Sequence, residues 1–281
     1  LVKTEIKSGM SPKLLDIVEN LPSRTGIYYI HNEKGDLIYI GKSKNIKKRV
    51  NQHFTGTSHK CKKIQLEVFA VTYEETGSEL LALLKESEEI KINKPIYNRA
   101  QRKSIFQWAL YAHKDENGYL ALQLQKADGR KKEITSFTSI QEGKNALFKF
   151  TDQFNLCQKI NGLYETKNAC FKYKIKECDG ACVGEISPEE YNERVQEFIE
   201  SNLFENENMV IVDRGRNLQE RSAVLIEGGI YKGYCFYDLN YQITNVEVLK
   251  NIIVPMQNNR DTRNIIQGYL RKHKVMKIVK F

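Results

Sequence analysis

The chain has 281 residues, of which 41% are hydrophobic and 28% charged, values typical of a folded protein of about two domains. No apolar run approaches the ~18 residues that a membrane-spanning helix requires. The first residues also lack the apolar stretch of a secretion signal. We therefore expect a cytoplasmic protein without a membrane partner.

The net charge of +9 lies mostly in the first part of the chain. Residues 1–104 hold 19 Lys and Arg against 12 Asp and Glu, and the other 177 residues hold 25 against 23. Residues 41–63 contain eight basic residues and no acidic one. Such a stripe is typical of a surface that binds a polyanion, although a solvated face would give the same count.

The first part of the chain predicts alternating strands and helices. A lead-in helix over residues 1–19 precedes strands at 26–30 and 37–40, which are joined by a turn. A helix then begins at Ile46, because apolar residues recur there at every fourth position.

The next segment predicts a third strand and a long helix. Residues 64–73 alternate between two faces, as a strand does. Thr76 and Glu79 have the spacing of a capping box, which predicts a helix that continues to about Ile92. Residues 96–98 follow a proline and are predicted to be extended.

The remaining residues predict more strands than helices. The predicted elements are three strands within 105–137, helices over 141–154 and 187–200, strands near 209–212, 223–227, 231–237 and 246–253, and a helix near 260–272.

Five short motifs occur in order along the first hundred residues. Gly26-Ile27-Tyr28 and Tyr39-Ile40-Gly41 lie on the two predicted hairpin strands. They are followed by the basic segment 42–49, by Leu84-Lys85-Glu86 and by Lys94-Pro95-Ile96-Tyr97-Asn98. Together they resemble the GIY-YIG nucleases, with their lysine-then-arginine segment, metal-binding glutamate and terminal asparagine.

The resemblance implies an α+β chain. Residues 20–104 would form a small GIY-YIG α/β nuclease domain with a mixed sheet flanked by helices. Residues 105–204 would supply β-rich linker strands and a cysteine-cluster region. Residues 205–281 lie outside the resemblance, and their predicted strands and helix indicate a C-terminal α+β lobe of unknown role.

Glu86 is the predicted ligand of a divalent cation. Phosphodiester hydrolysis needs charge stabilisation at the phosphate, which Mg²⁺ or Mn²⁺ held by one carboxylate supplies. Glu86 lies three residues after Leu83 and four before Ile90, so we expect its carboxylate to face the domain body. A buried salt bridge is the other interpretation.

Basic residues near this glutamate are predicted to contact DNA. Arg49 flanks the inner edge of its helix and Lys42 follows a strand-ending glycine, so both can reach a phosphate. His53 lies one turn beyond Arg49 and could face the same cleft, although a lone histidine is usually incidental. Candidates for nonspecific backbone contacts, which simple solvation would also explain, are Lys44, Lys47 and Lys48.

Two tyrosines and an asparagine complete the predicted site. A phenol has an ordinary pKa of ~10, which a nearby cation lowers. The resemblance implies that either Tyr28 or Tyr39 is the general base and that Asn98 orients the site. Two strand tyrosines packed against each other are the alternative.

Four of the six cysteines fall within 26 residues, namely Cys157, Cys170, Cys178 and Cys182. Without an export signal, metal ligands or free thiols are favoured over disulfides. The segment from Cys170 to Cys182 resembles the cysteine segment of UvrC excision-repair nucleases, whose four cysteines are associated with a [4Fe–4S] cluster. Zn²⁺ in the same thiolates and a metal-free thiol cluster are the alternatives.

The resemblance covers roughly residues 20–200 and implies UvrC-like nucleotide excision repair. The expected activity is a single-strand incision in damaged or structured duplex DNA, with a repair-protein loader as partner. Residues 205–281 are too few for the second nuclease domain of full-length UvrC, so we expect a short form. The leucine at position 1 would suit the C-terminal part of a bacterial exonuclease/GIY-YIG fusion.

Two other functions remain as alternatives. The first is a noncatalytic nucleic-acid-binding module with a degenerate nuclease fold, which the complete set of motifs disfavours. The second is a homing- or restriction-type nuclease, which the cysteine segment disfavours.

Overall fold

The computed structural model describes residues 10–203, 207–240 and 246–281, and these form two compact units. One unit comprises residues 10–104 and the described residues from 207 onward, and the other comprises residues 105–203. The α+β class predicted from the sequence is confirmed, and the sheets are small.

The first unit begins with a three-stranded sheet. Its strands are Gly26–His31 (β1), Leu37–Ser43 (β2) and Ala70–Glu75 (β3). β1 lies in the middle and pairs antiparallel with both neighbours. The sheet is therefore antiparallel throughout, and the predicted mixed sheet is wrong.

Four helices accompany this sheet: Pro12–Glu19 (α1), Ile46–Thr55 (α2), His59–Glu67 (α3) and Glu79–Asn93 (α4). The predicted lead-in helix is α1, and residues 1–9 lie outside the described residues. The stripe of Ile46, Val50 and Phe54 is confirmed as the buried face of α2.

The predicted strand over residues 64–73 is wrong in its first half. The Ser58 side chain accepts a hydrogen bond from the Cys61 N–H at 3.2 Å and caps α3. Within this helix Ile64 is buried, whereas Leu66 is 85% exposed. The apparent alternation arose because one helical face is apolar and a single leucine points to solvent.

The cap of α4 also differs from the prediction. The Ser78 hydroxyl accepts the hydrogen bond of the Leu81 N–H at 3.4 Å and caps the helix. The Thr76 hydroxyl instead donates to the Ser78 carbonyl at 2.8 Å. The helix itself is confirmed, but its cap lies two residues later than the capping-box spacing predicted.

The second unit contains the three strands and two long helices predicted for it. Its elements are Trp108–Lys114 (β4), Leu120–Lys126 (β5), Thr135–Phe137 (β6), Ile140–Gln153 (α5), Phe171–Lys174 (α6) and Pro188–Leu203 (α7). β4 lies between β5 and β6 and pairs antiparallel with both.

The C-terminal lobe of the first unit is a five-stranded antiparallel sheet with two helices. Its elements are Met209–Arg214 (β7), Glu220–Glu227 (β8), Ile230–Asp238 (β9), Val246–Asn251 (α8), Val254–Pro255 (β10), Arg260–Lys272 (α9) and Lys277–Lys280 (β11). The predicted strand over 246–253 is mostly helix, because Val246 and Leu249 lie one turn apart and both pack on the sheet.

The lobe is joined to the β1–β3 sheet and its helices by polar contacts along α4. Three pairs make these contacts: Ser78 with Asp213 at 2.8 Å, Lys85 with Tyr234 at 2.9 Å, and Lys91 with Asp261 at 2.5 Å.

Among the described residues, no helix is both long and apolar enough to cross a membrane.

Candidate active site

Both glycines of the hairpin motifs stand where no side chain fits. A Cβ on Gly26 would lie 2.1 Å from the Glu74 carbonyl oxygen on the neighbouring strand. A Cβ on Gly41 would lie 2.4 Å from the Tyr28 hydroxyl, since these two residues are paired across β1 and β2. The glycines therefore let a strand and a tyrosine approach closely.

Three buried aromatic side chains meet at this point. The Tyr28 hydroxyl lies 2.8 Å from His53 Nε2, and the ring centroids of Tyr39 and His53 are 5.0 Å apart. Burial and the charges of Arg49 and Lys60 lower the pKa of His53 to about 4, so its imidazole is neutral at neutral pH. His53 is only 6% exposed and thus belongs to the tyrosine cluster rather than to the protein surface.

Lys60 is a member of the site that sequence reasoning missed. Its Nζ lies 4.1 Å from the centroid of the Tyr39 ring, a cation–π contact. Burial and the Arg49 charge lower the pKa of Lys60. The helical spacing was the available signal, because Lys60 lies four residues before the buried Ile64.

Glu86 presents a carboxylate to the end of β2. Its Oε1 accepts a hydrogen bond from the Lys42 N–H at 3.1 Å, and no described residue bonds Oε2. Burial raises the pKa of Glu86 to about 6, against the lowering effect of the Lys42 N–H and nearby cations. No described Lys or Arg forms an ion pair with it, so the structure does not contain the alternative salt bridge. A partly desolvated carboxylate with a spare oxygen suits a hard divalent cation.

The protein's own charges do not make either tyrosine acidic. Burial raises the pKa of Tyr28 well above its ordinary value, and burial together with the Glu86 charge raises that of Tyr39. Arg49 acts in the opposite direction on both, but its effect is smaller. The expected lowering of a tyrosine pKa therefore needs an added cation. Its charge must outweigh the raising effects of burial and of the Glu86 carboxylate.

Lys42 contacts two carboxylates at once. Besides the bond from its N–H to Glu86, its Nζ lies 2.8 Å from Glu79 Oε1. Lys44 Nζ lies 2.9 Å from the other oxygen, Glu79 Oε2. Burial alone would raise the pKa of Glu79, but the two lysines outweigh it and lower that pKa. A phosphate bound by Lys42 would share this ammonium with Glu79.

The other predicted basic residues lie on the surface of α2. Arg49 is exposed and donates to Gln52 Oε1 at 3.1 Å, and its charge still reaches the Glu86 carboxylate. Lys47 Nζ donates to the Glu19 carbonyl at 2.9 Å, and Lys48 is exposed.

Asn98 is hydrogen-bonded to the backbone of β2 at the open edge of the sheet. Its Oδ1 accepts from the Ile40 N–H and its Nδ2 donates to the Ile40 carbonyl, each at 2.9 Å. The predicted extended segment is wrong, because the Asn98 N–H bonds the Pro95 carbonyl at 3.1 Å and Ile96–Gln101 form a 3₁₀ helix. The buried Asn98 amide thus forms hydrogen bonds with the N–H and carbonyl of Ile40, which would otherwise be unpaired because β2 is an edge strand.

The cysteines of the second unit converge. The Sγ atoms of Cys157, Cys170 and Cys182 all lie within 4.8 Å of one another. Burial raises the pKa of Cys157. Burial opposes ionisation of Cys170 too, but hydrogen bonds from the Tyr173 N–H and the other three thiols outweigh it and lower its pKa. Three of the four predicted cysteines are thus brought together, and the fourth, Cys178, interacts with Cys170.

Two family models match the chain in sequence order. The model of the UvrC-like GIY-YIG domain matches residues 24–99, and that of the UvrC/Cho excinuclease middle domain matches residues 106–201. Residues 24–201 thus consist of a UvrC-like GIY-YIG domain followed by a UvrC/Cho-type middle domain. The predicted family is thereby confirmed, and the tyrosine and Glu86 cluster lies in its GIY-YIG domain.

Curated relatives of this UvrC-like chain are UvrABC system C proteins. The protein of Psychrobacter cryohalolentis is 31% identical over 193 residues, which are 66% of this chain and 31% of the relative. That of Methanosarcina barkeri is 33% identical over 184 residues, 64% of this chain and 34% of the relative. The chain thus spans about a third of the length of the curated relatives it matches.

A solved structure similar to the GIY-YIG part is the N-terminal endonuclease domain of UvrC from Thermotoga maritima, described as bound to its catalytic divalent cation, magnesium. It is 28% identical, with a TM-score of 0.30, and the match covers 32% of this chain and 99% of that domain.

Proposed function

We propose that this chain is a metal-dependent DNA endonuclease that makes a single-strand incision in UvrC-like nucleotide excision repair. The observation that carries the proposal is the Glu86 carboxylate, which is fixed by the Lys42 N–H and keeps one oxygen for a cation. The kinship with UvrABC system C proteins supports damaged or structured duplex DNA as substrate and a repair-protein loader as partner.

In this proposal Glu86 holds Mg²⁺ or Mn²⁺. Such an ion supplies Lewis acidity and offsets negative charge at the scissile phosphate. Lys42 and Arg49 bind phosphate oxygens from the side of β2 and α2. Further contacts to the DNA backbone come from the surface lysines, Lys44, Lys47 and Lys48.

The tyrosines handle the proton of the attacking water. The Tyr28 hydroxyl is oriented by the neutral imidazole of His53 through their 2.8 Å contact, and Tyr28 can act as a base only when a cation held by Glu86 lowers its pKa. Tyr39 lies beneath the Lys60 ammonium, which stabilises a phenolate. Both routes fit the geometry, and Asn98 keeps β2 in register for either.

We also propose that Cys157, Cys170, Cys178 and Cys182 hold a metal centre. Four convergent thiols suit a [4Fe–4S] cluster or Zn²⁺. Either group would cross-link the segment between α5 and α7, whose backbone is otherwise held by short helices and turns. Its role is therefore structural.

Nicking of DNA tests the endonuclease proposal. Supercoiled plasmid and an end-labelled duplex with a single bulky lesion are incubated with the chain in Mg²⁺, Mn²⁺ or EDTA. We expect open-circular plasmid and a cut in one labelled strand with either metal, and neither product in EDTA. Intact DNA in all three conditions, with the chain bound to it, would contradict the proposal and support a noncatalytic binder.

A further inference from the structure

A groove of about 810 Å³ lies between the segment just before β1 and the β7–β8 hairpin. Four arginines line it and no carboxylate does: Arg24, Arg214, Arg216 and Arg221. We propose that this groove binds the phosphate backbone of DNA beside the cut, so that the C-terminal lobe is a second DNA-contacting surface. DNA as the ligand rests on the proposed function.

The groove is built on a tight junction. A Cβ on Gly77 would lie 1.8 Å from the Gly215 carbonyl oxygen, so the two backbones touch. Arg24 donates to the Arg216 carbonyl at 3.1 Å across the same junction. The base of the hairpin is thereby fixed against the nuclease domain, and Arg24 is held in place before a ligand arrives.

Two of the arginines are available for an anion. Within the described residues, neither Arg214 nor Arg221 forms an ion pair with a carboxylate. Arg221 donates to the Glu220 carbonyl at 2.8 Å, which orients its guanidinium without neutralising it. Arg214 is exposed. Planar guanidinium groups of this kind bind phosphate oxygens bidentately.

The other two arginines are oriented by carboxylates. Arg24 Nη1 lies 3.1 Å from Glu75 Oε2, and the Arg24 side chain is 61% exposed. Arg216 pairs with Glu220 and stacks on Phe236, with its guanidinium carbon 4.2 Å from the ring centroid. Both remain at the groove, but their carboxylate partners offset their charge, so the unpaired positive charge comes from Arg214 and Arg221.

The groove continues towards the candidate active site. A second cavity of about 330 Å³ shares Arg214 and Met276 with it and reaches Lys44 and Glu79. Glu79 also binds the Lys42 ammonium at the end of β2. A DNA strand that lies in the groove would therefore extend to this end of β2. This continuity favours a polymeric phosphate chain over a small free anion, which would need only one or two of these groups.

DNA binding by a double variant tests the proposal. Arg214→Gln/Arg221→Gln removes two charges without leaving a carboxylate unpaired. The control is Lys232→Gln, which removes a positive charge from β9 of the same sheet. Lys232 lies outside the groove, five residues before Tyr237, and Tyr237 is the β9 residue that pairs with Arg221. Binding to a fluorescent duplex is measured in EDTA over a range of salt concentrations, and thermal unfolding verifies that each variant is folded.

We expect the double variant to bind about tenfold or more weakly at ~0.1 M salt, with a log–log salt slope shallower by about 2, and the control to match the wild type. Equal affinity and slope in the double variant and the control would overturn the proposal. Should the double variant unfold, Arg214→Gln alone is used, with an expected slope change of about 1. A wild type that binds DNA through the groove but does not cut it in Mg²⁺ would contradict the endonuclease proposal and leave the groove proposal intact.

Discussion

The Tyr28 hydroxyl is held 2.8 Å from Nε2 of His53, and both residues are almost fully buried. Gly41 makes the contact possible, since any side chain there would occupy the position of the phenol. The motif glycine, the motif tyrosine and a histidine from α2 thus form one structural unit. Substitutions within this unit separate its structural role from its chemical one.

Tyr28→Phe should destabilise the fold as well as reduce cutting. The variant leaves a buried ring nitrogen of His53 without its partner, which costs about 1–3 kcal/mol. The free energy of unfolding in urea measures the loss. Tyr29→Phe is the control, because Tyr29 is the next residue of β1 and no described residue bonds its hydroxyl. An equal loss in both variants would mean that the Tyr28–His53 contact contributes nothing specific.

Stability should fall between pH 6.5 and pH 4 because of His53. Its pKa is about 4 in the folded chain and ~6.5 when unfolded, so the unfolded state binds the extra proton first. The stabilisation from the neutral imidazole is complete above pH 6.5 and is lost as the pH falls towards 4, by about 3 kcal/mol in all. Urea unfolding in EDTA at pH 7 and pH 4.5 should show a smaller drop for His53→Gln than for the wild type or for His113→Gln. Parallel drops in all three proteins would rule out this linkage.

Gly41→Ala should disrupt the site although it adds only one carbon. The new Cβ would lie 2.4 Å from the Tyr28 hydroxyl, so the ring or the strand must move. We expect nicking to fall at least tenfold and the melting temperature to drop, because overpacking a buried site costs about 1–3 kcal/mol. Gly268→Ala on α9 is the control, since the nearest atom to its Cβ is 3.7 Å away. A fully active Gly41→Ala protein would show that Tyr28 need not occupy this position.

Local patterns predicted most elements near the site. The motifs around Tyr28 and Tyr39 lie on the predicted strands. The four-residue spacing of apolar residues from Ile46 correctly predicted the buried face of α2. The failures involve short apolar segments, where period alone does not separate strand from helix. The exposed Leu66 misled the prediction for residues 64–67 in this way.

Contacts between distant segments could not be read from the sequence. Ser78 and Asp213 are 135 positions apart, and no local propensity records that they form a hydrogen bond. The same holds for Lys60, which joins the site only because α3 packs its Ile64 face on the sheet. The direction of the tyrosine pKa shifts also depends on burial, which the motifs do not specify.

Cys170→Ser should remove the proposed metal centre. Cys170 belongs to the group of three thiols whose Sγ atoms lie within 4.8 Å of one another, so its loss leaves no complete ligand set. Anaerobically purified wild-type protein should contain either iron and sulfide, with visible absorbance, or one colourless Zn²⁺ per chain. The variant should contain neither, while Cys61→Ser should match the wild type. A wild type purified without any metal would support the thiol cluster instead.

The most direct test of the account compares Glu86→Gln with Glu89→Gln in the Mg²⁺ nicking reaction. Both changes remove one negative charge from α4, but the Glu89 carboxylate bonds Asn93 on the surface of the helix. We predict that Glu86→Gln loses at least a hundredfold in nicking rate with DNA affinity retained, because one oxygen of its carboxylate is the proposed cation ligand. Glu89→Gln should cut at the wild-type rate. Undiminished nicking by Glu86→Gln would contradict the assignment of the metal site.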